Sequence, residues 1–74
     1  MDKITVNAKI LGGKPIIKGT RISVEHVLNL LASNISEKEI LEDYPQITHD
    51  DVQACLKYAA HSLKNEIYVD LEPA

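Results

Sequence analysis

Residues 12–22 read GGKPIIKGTRI and combine three glycines, one proline and three basic side chains. A glycine-rich run that ends in lysine is typical of phosphate-binding loops. The spacing here excludes such a loop, because the position five before Gly13 is Ala8 and because Pro15 follows Lys14. Proline supplies neither a hydroxyl for magnesium nor an amide N–H for phosphate. The stretch therefore predicts a turn and an edge strand, not a nucleotide site.

Histidine, cysteine and carboxylate residues form no recognisable catalytic or metal-binding pattern. We expect His26, His49 and His61 to lie on different helices, and the acidic residues beside His49 to point apart. Cys55 falls on a predicted apolar helix stripe, where a thiol usually behaves as a small hydrophobic group. A solvated helix surface explains the acidic run at residues 37–43. We therefore predict no catalytic residue, no metal, no cofactor and no enzyme activity.

Charge is distributed unevenly along the chain. Residues 1–22 carry five basic groups and one acidic group, whereas residues 23–74 carry three basic groups and ten acidic groups. Such a division predicts two surfaces with different partners, one attracting phosphate or acidic protein and the other repelling it. Two solvated surfaces without partners are the alternative interpretation.

The basic N-terminal segment makes nucleic-acid phosphate a candidate partner. The candidate DNA contacts are Lys14, Lys18, Arg21, Gln53 and Lys57. An extended basic segment can reach phosphates or a minor groove, and glutamine can read adenine in the major groove. Asp50 and Asp51 oppose DNA binding by the third predicted helix, because both lie at its start and repel phosphate.

Two short extended segments precede three helices in the predicted order of elements. We expect a strand near residues 4–7 and a hairpin or extended arm near residues 15–22, which together form an exposed edge. Ser23, Ser36 and Thr48 are candidate N-caps. Each follows an isoleucine and precedes a β-branched residue at the fourth helical position, a pattern typical of a hydrophobic staple.

Apolar residues spaced three and four apart give each predicted helix one buried face. These residues are Val24, Val27, Leu28, Leu31, Ile40, Leu41, Tyr44, Val52, Cys55, Leu56, Ala59, Ala60 and Leu63. Asn34 is expected to end the first helix in a left-handed conformation, and Pro45 to end the second near Asp43. The helix lengths come to about ten, seven and seventeen residues. The pattern predicts a mainly α fold, a three-helix bundle with a short N-terminal β-hairpin or arm, and it fits the helix-turn-helix arrangement as well as trihelical domains that do not bind DNA.

The chain of 74 residues predicts one domain, with a basic β-arm (1–22), a trihelical core (23–65) and a C-terminal tail (66–74). The tail reads EIYVDLEPA and alternates apolar with polar residues, as a strand added to a partner would. Tyr68, Val69 and Leu71 are its candidate partner contacts. Neither a signal peptide nor a membrane span is recognisable, and one cysteine fits a reducing compartment, so we expect a cytoplasmic protein.

The stretch GGKPIIKGTRI, the stretch SEKEILEDYP at residues 36–45 and Thr48 resemble the bacterial domain-of-unknown-function family 433. The resemblance covers roughly residues 4–62. It implies a homeodomain-like helical fold with an N-terminal β element. It also implies the antitoxin of a type II toxin-antitoxin pair, because such chains are often encoded beside a PIN-like ribonuclease toxin. Residues 7–9 depart from the family pattern, since they read Asn-Ala-Lys where relatives often have an acidic residue and a proline.

The uneven charge and the resemblance lead to one functional expectation. The acidic part of the chain meets a basic toxin surface, and the basic part binds operator DNA to regulate the chain's own operon. The protein is expected to be a homodimer, because two-fold symmetry matches palindromic operators. The alternative is a protein-binding or dimerising helical module without DNA affinity.

Overall fold

A computed structural model of the protein describes residues 3–63 and contains two strands, three α-helices and one turn of 3-10 helix within that range. In chain order these are β1 (Ile4–Val6), the 3-10 turn (Leu11–Gly13), β2 (Pro15–Ile17), α1 (Val24–Ala32), α2 (Glu37–Asp43) and α3 (His49–Ser62). The predicted mainly α three-helix bundle with an N-terminal hairpin is confirmed. The candidate tail contacts Tyr68, Val69 and Leu71 lie outside the described residues.

The two strands pair with each other in an antiparallel hairpin that packs against the helices. The register sets Ile4 opposite Ile17 and Thr5 opposite Ile16. The expectation of an exposed edge is wrong for β2, because Ile16 and Ile17 are only 1% and 2% exposed. Ile4 and Ile17 share the face that joins the helical core. The N-terminal segment is therefore a packed hairpin and not an arm.

A tight turn joins β2 to α1 through four hydrogen bonds, one of which the Thr20 N–H donates to the Ile17 carbonyl at 3.0 Å. The Ile17 N–H donates to the Ile22 carbonyl at 2.9 Å. Thr20 Oγ1 donates to the Ile17 carbonyl at 2.8 Å and accepts the Ile22 N–H at 3.0 Å. Gly19 has φ 82°, a left-handed conformation that glycine adopts without a Cβ clash. Ile17 and Ile22 at the two ends of the turn are buried, Thr20 between them is half-buried, and Lys18, Gly19 and Arg21 are exposed.

The three predicted helix starts are confirmed as N-caps. Ser23 Oγ accepts the N–H of His26 at 2.9 Å at the start of α1. Ser36 and Glu39 form the predicted capping box of α2. A second capping box, which the sequence analysis does not predict, joins Thr48 to Asp51 at the start of α3. Each side-chain oxygen satisfies a first-turn N–H that the helix itself leaves unpaired.

The residues of the three predicted staples lie in the core or pack against it. Five of them are buried, and Ile35 is half-buried against the same cluster; the five are Ile22, Val27, Ile40, Ile47 and Val52. The chain thus enters each helix with an apolar side chain directed into the core. Because these side chains are β-branched and stiff, they fix the entry of each helix with little loss of rotamer freedom.

The helix ends follow the local signals in the sequence. Asn34 adopts the expected left-handed conformation with φ 68°, just after α1. α2 ends at Asp43, and Tyr44 before Pro45 leaves helical geometry. α1 and α2 contain nine and seven residues, and α3 contains 14, fewer than the seventeen expected. None of the helices within residues 3–63 is long and apolar enough to cross a membrane.

The buried face of α3 is rotated from the predicted one. Leu56 and Leu63 are 41% and 50% exposed, whereas Ala54 is buried. Asp51 lies on the side of α3 that faces the hairpin, where its carboxylate is 3.6 Å from the Lys3 ammonium. Leu56 projects from a different side of α3 than Asp51 does. Its side chain is turned toward solvent. The prediction that Leu56 and Leu63 belong to the buried face is therefore wrong, whereas Val52 and Cys55 of the predicted face are buried.

An exposed ion pair links α2 to α3. The His49 Nδ1 lies 2.7 Å from a Glu37 carboxylate oxygen. The hydrogen bond to Glu37 raises the pKa of His49 above the ordinary value of 6.5, because that bond and the negative charge favour the imidazolium. The contact therefore stabilises the fold only while His49 is protonated.

Replacing Thr20 with valine is expected to lower the free energy of unfolding by about 1–2 kcal/mol, because both hydrogen bonds of the hydroxyl in the turn are lost. Thr20→Ser retains the hydroxyl and serves as the matched control. Urea unfolding of both variants measures the difference. An unchanged free energy of unfolding in Thr20→Val would show that the two hydrogen bonds of the hydroxyl contribute nothing to stability.

Replacing His49 with glutamine is expected to destabilise the protein in acid but not in base. Below pH 6.5 the imidazole is charged in the folded and unfolded chain, so the full contribution is present. It is lost as the pH rises through the raised folded-state pKa. Urea unfolding at about pH 5.5 and about pH 8.5 tests this. His61→Gln is the control, and an equal pH dependence in that variant would contradict the assignment.

Candidate functional site

An open cleft of about 460 Å³ lies where the hairpin, the start of α1 and the end of α2 meet. Its lining residues are Leu11, Lys14, Arg21, Ile22, Ser23, His26 and Tyr44. Two of these side chains are cationic, and three more carry hydrogen-bonding groups. The chemistry of this lining suits a negatively charged ligand.

The paired glycines bring the Lys14 side chain to the cleft. Leu11, Gly12 and Gly13 have φ values of 50°, 66° and 85°, so the backbone is left-handed at three successive positions. Glycine occupies this region freely, whereas an ordinary L-residue such as leucine pays for it with a Cβ clash. The reversal sends the chain directly into Pro15 and β2. The glycines therefore have a conformational role, and the lysine after them faces the cleft.

Lys14 is held at the cleft by an acidic residue of α1. Its ammonium lies 2.8 Å from a Glu25 carboxylate oxygen. The hydrogen bond from Lys14 holds the pKa of the Glu25 carboxyl below its usual range. Both side chains are more than half exposed, at 58% and 62%, so water screens the pair. The pair positions the lysine more than it stabilises the fold.

His26 and Tyr44 also line the cleft, where they contact each other. The His26 Nε2 and the Tyr44 hydroxyl are 2.9 Å apart, and the two rings meet edge to face with centroids 5.7 Å apart. His26 belongs to the first turn of α1, and Tyr44 follows the last residue of α2. Pro45 ends α2 at this point and so helps to place the tyrosine. The contact joins the two helices at the cleft.

Arg21 lies at the junction of two surface depressions. It lines the cleft and also a groove of about 620 Å³ on the Thr5 and Ile16 face of the hairpin. Within residues 3–63 its guanidinium forms no ion pair. Because Ile22 beside it is buried in the core, the backbone under Arg21 is firmly placed. An exposed guanidinium on a fixed turn is well suited to bind an anion.

The structure brings together only part of the predicted site. Lys14 and Arg21 line one cleft, whereas Lys18 is exposed on the turn and lies outside it. Gln53 and Lys57 lie on α3, which contributes no residue to the cleft. The five candidate DNA contacts therefore do not form one continuous site around this depression.

Three polar cleft residues were missed by sequence reasoning as site residues. Ser23 was recognised only as a helix cap, and Tyr44 only as a core residue before proline. His26 was considered only as a metal ligand. The sequence feature that points to this site is the Tyr44-Pro45 pair, which belongs to the second stretch that resembles the family. Sequence spacing alone does not place residue 44 beside residue 14.

The histidines and the cysteine are not arranged as a metal or catalytic site. His49 and His61 lie near opposite ends of α3, so the expectation that all three histidines occupy different helices is wrong. Within residues 3–63 no group of three metal-binding side chains comes together. Cys55 is fully buried. Burial, together with the nearby Asp51 charge, raises the pKa of its thiol to about 11.

Comparison with known proteins identifies the family. Residues 4–59 match the family described as "Protein of unknown function (DUF433)". This chain belongs to the DUF433 family. It is 32% identical over 56 residues to the uncharacterised protein y4eO of Sinorhizobium fredii (strain NBRC 101917 / NGR234). That match covers 76% of this chain and 25% of the relative, so the chain corresponds to about a quarter of the longer protein.

A solved structure shares the DUF433 fold of this chain. The crystal structure of a DUF433 member from Anabaena variabilis ATCC 29413 superposes with a TM-score of 0.79 at 28% sequence identity. The match covers 82% of this chain and 60% of the solved chain. Both stretches that carried the family resemblance contribute to the cleft, through Lys14 and Arg21 from the first and Tyr44 from the second. The resemblance at two separate places in the sequence thus corresponds to one place in the structure.

Cys55 is expected to resist thiol reagents in the folded protein, because its thiol is buried and its pKa is about 11. At pH 8 an aromatic disulfide reagent should react only after urea is added. Reagent uptake followed by absorbance measures this. Rapid modification of the native chain would contradict the described packing of α3.

Proposed function

We propose that this DUF433 protein is the antitoxin of a type II toxin-antitoxin pair, which neutralises a PIN-like ribonuclease toxin in the cytoplasm and binds operator DNA. The observation that supports this best is the separation of charge in the fold. Lys14 and Arg21 line the cleft and Lys18 is exposed on the turn beside it, whereas the acidic side chains of α2 are absent from the lining of the cleft. One small domain thus offers two surfaces for partners of opposite charge.

The acidic surface is the proposed toxin-binding side. Its members are Glu37, Glu39, Glu42 and Asp43 of α2, of which all but Glu37 are exposed. A toxin that binds RNA needs a cationic surface, and an acidic antitoxin surface complements it. The 41% exposed Leu56 on α3 adds an apolar contact of the kind found in interface cores. Tyr68, Val69 and Leu71 remain the proposed contacts from the tail.

The basic surface is the proposed DNA-binding side. Lys14, Lys18 and Arg21 are all exposed on or beside the turn, where they can neutralise backbone phosphates. Gln53 and Lys57 of α3 are proposed as the contacts to base edges and to a further phosphate. Dimerisation would present two such surfaces to a two-fold symmetric operator.

A protein-binding or dimerising module without DNA affinity is the second candidate function. Asp50 favours it, because this exposed carboxylate lies one helical turn before Gln53 and would face the same groove. Under this alternative the basic cleft serves a protein partner and α3 contacts no DNA.

The triple variant Lys14→Gln, Lys18→Gln and Arg21→Gln is expected to lose DNA binding and retain the toxin. Gel-shift measurements at about 50 mM salt, using the DNA upstream of the chain's own gene, report the first property. Co-purification with a PIN-like protein encoded beside the gene reports the second. Lys38→Gln on α2 is the control, since it also removes one exposed positive charge.

The complementary variant Glu42→Gln with Asp43→Asn should release the toxin and retain the DNA. Loss of the toxin from the triple basic variant, with DNA binding intact, would reverse the two assignments. Absence of DNA binding by the wild-type chain at about 50 mM salt would favour the module without DNA affinity. Absence of any PIN-like neighbour, or of toxin capture, would contradict the antitoxin role.

A further inference from the structure

Hydrogen-bond donors from separate elements converge on the cleft between the hairpin and the first two helices. Arg21 comes from the turn after β2, Lys14 from the residue before β2, and Tyr44 from the end of α2. His26 adds its ring from α1 and contacts the Tyr44 hydroxyl at 2.9 Å. Donors that approach one depression from several directions suit a ligand with several acceptor oxygens.

We infer that this cleft binds a phosphoryl group, as carried by a nucleic-acid backbone or by a small phosphate compound. The guanidinium of Arg21 offers a planar fork of donors that matches two phosphate oxygens, and it has no ion-pair partner within residues 3–63. A third oxygen can then accept from the Lys14 ammonium, or from the Tyr44 hydroxyl when His26 Nε2 carries a proton and donates to that hydroxyl. A carboxylate has only two oxygens and would leave part of this donor set unused.

Glu25 sets a limit on how tightly the phosphoryl group binds. Its carboxylate lies 2.8 Å from the Lys14 ammonium and so competes with the ligand for that cation. The pair is open to water on both sides, at 58% and 62% exposure, and a lysine ammonium has three donors. Lys14 can therefore add a contact to phosphate without leaving Glu25, but the negative charge beside it weakens the attraction.

The apolar part of the cleft strengthens the remaining interactions. Leu11 and Ile22 line it beside the charged groups, and Ile22 is only 8% exposed. The buried Ile22 side chain excludes water from one side of the cleft, so a charge-assisted hydrogen bond formed by Arg21 beside it is screened less than one on an open surface. Lys18 is exposed outside this depression and lacks such walls. We therefore expect Arg21, and not Lys18, to contact the phosphoryl group.

Titration of the full chain with inorganic phosphate, followed by NMR, tests this inference. We expect the signals of His26 and Tyr44 to move on addition of phosphate. Arg21→Gln should weaken binding by roughly tenfold or more, since it removes a charge-assisted pair of hydrogen bonds. Tyr44→Phe should weaken it less, and Glu25→Gln should tighten it several-fold.

Lys9→Gln is the matched control, because it removes an exposed positive charge from the same basic segment but outside the cleft. Phosphate affinity within about twofold of the wild type is expected for this variant. Equal weakening by Lys9→Gln and Arg21→Gln would mean general charge attraction and would overturn the inference. Absence of shifts at His26 and Tyr44 would overturn it as well.

Competition with the DNA upstream of the gene identifies the source of the phosphoryl group. This step rests on the proposed function, whereas phosphate binding itself does not. Displacement of phosphate by DNA assigns the cleft to the backbone of the operator. If phosphate binds and DNA does not displace it, the cleft is supported as a site for a small phosphate compound. The cleft then no longer supports DNA binding. If no phosphate binds and Arg21→Gln leaves DNA binding unchanged, the inference that the cleft binds a phosphoryl group is overturned. The proposal that the protein binds DNA is then unaffected.

Discussion

The hydrogen bond from the Ile17 N–H to the Ile22 carbonyl is the contact on which the rest of the structure depends. It closes a turn whose two ends are buried, so the hairpin and α1 are held on one core. The same closure leads the chain into Ser23, whose hydroxyl begins α1. It also leaves Arg21 outside the core at the edge of the cleft. The packing of the core, the start of α1 and the position of Arg21 at the cleft thus all depend on this one turn.

Packing of the hairpin changes how the basic segment can act. A free arm would lose conformational entropy on binding, at a cost of about 1–2 kcal/mol for each residue that becomes ordered. Here Ile4 and Ile17 already fix the strands in the core. The backbone at Lys14 and Arg21 is therefore already ordered, so binding of the proposed anion there would not carry the cost of ordering it.

Local signals in the sequence predicted local features of the fold well. The three N-caps, the left-handed Asn34 and the end of α2 before Pro45 depend on residues within one turn of each other. The burial of β2, the rotation of α3 and the cleft depend on contacts between distant parts of the chain. A helical pattern does not reveal which of two apolar stripes meets a neighbour, so Leu56 was placed in the core wrongly. The pairing of His26 with Tyr44 has no local signature at all.

Glu25 connects the stability of the fold to the chemistry of the cleft. In the first turn of α1 its negative charge interacts favourably with the helix dipole, and it holds the Lys14 side chain in place. The same charge opposes an anion in the cleft that Lys14 lines. A lysine without this partner would attract anions more strongly but would sample more rotamers. The pair therefore positions the lysine and offsets its positive charge beside the cleft, whereas the Arg21 guanidinium has no ion-pair partner within residues 3–63.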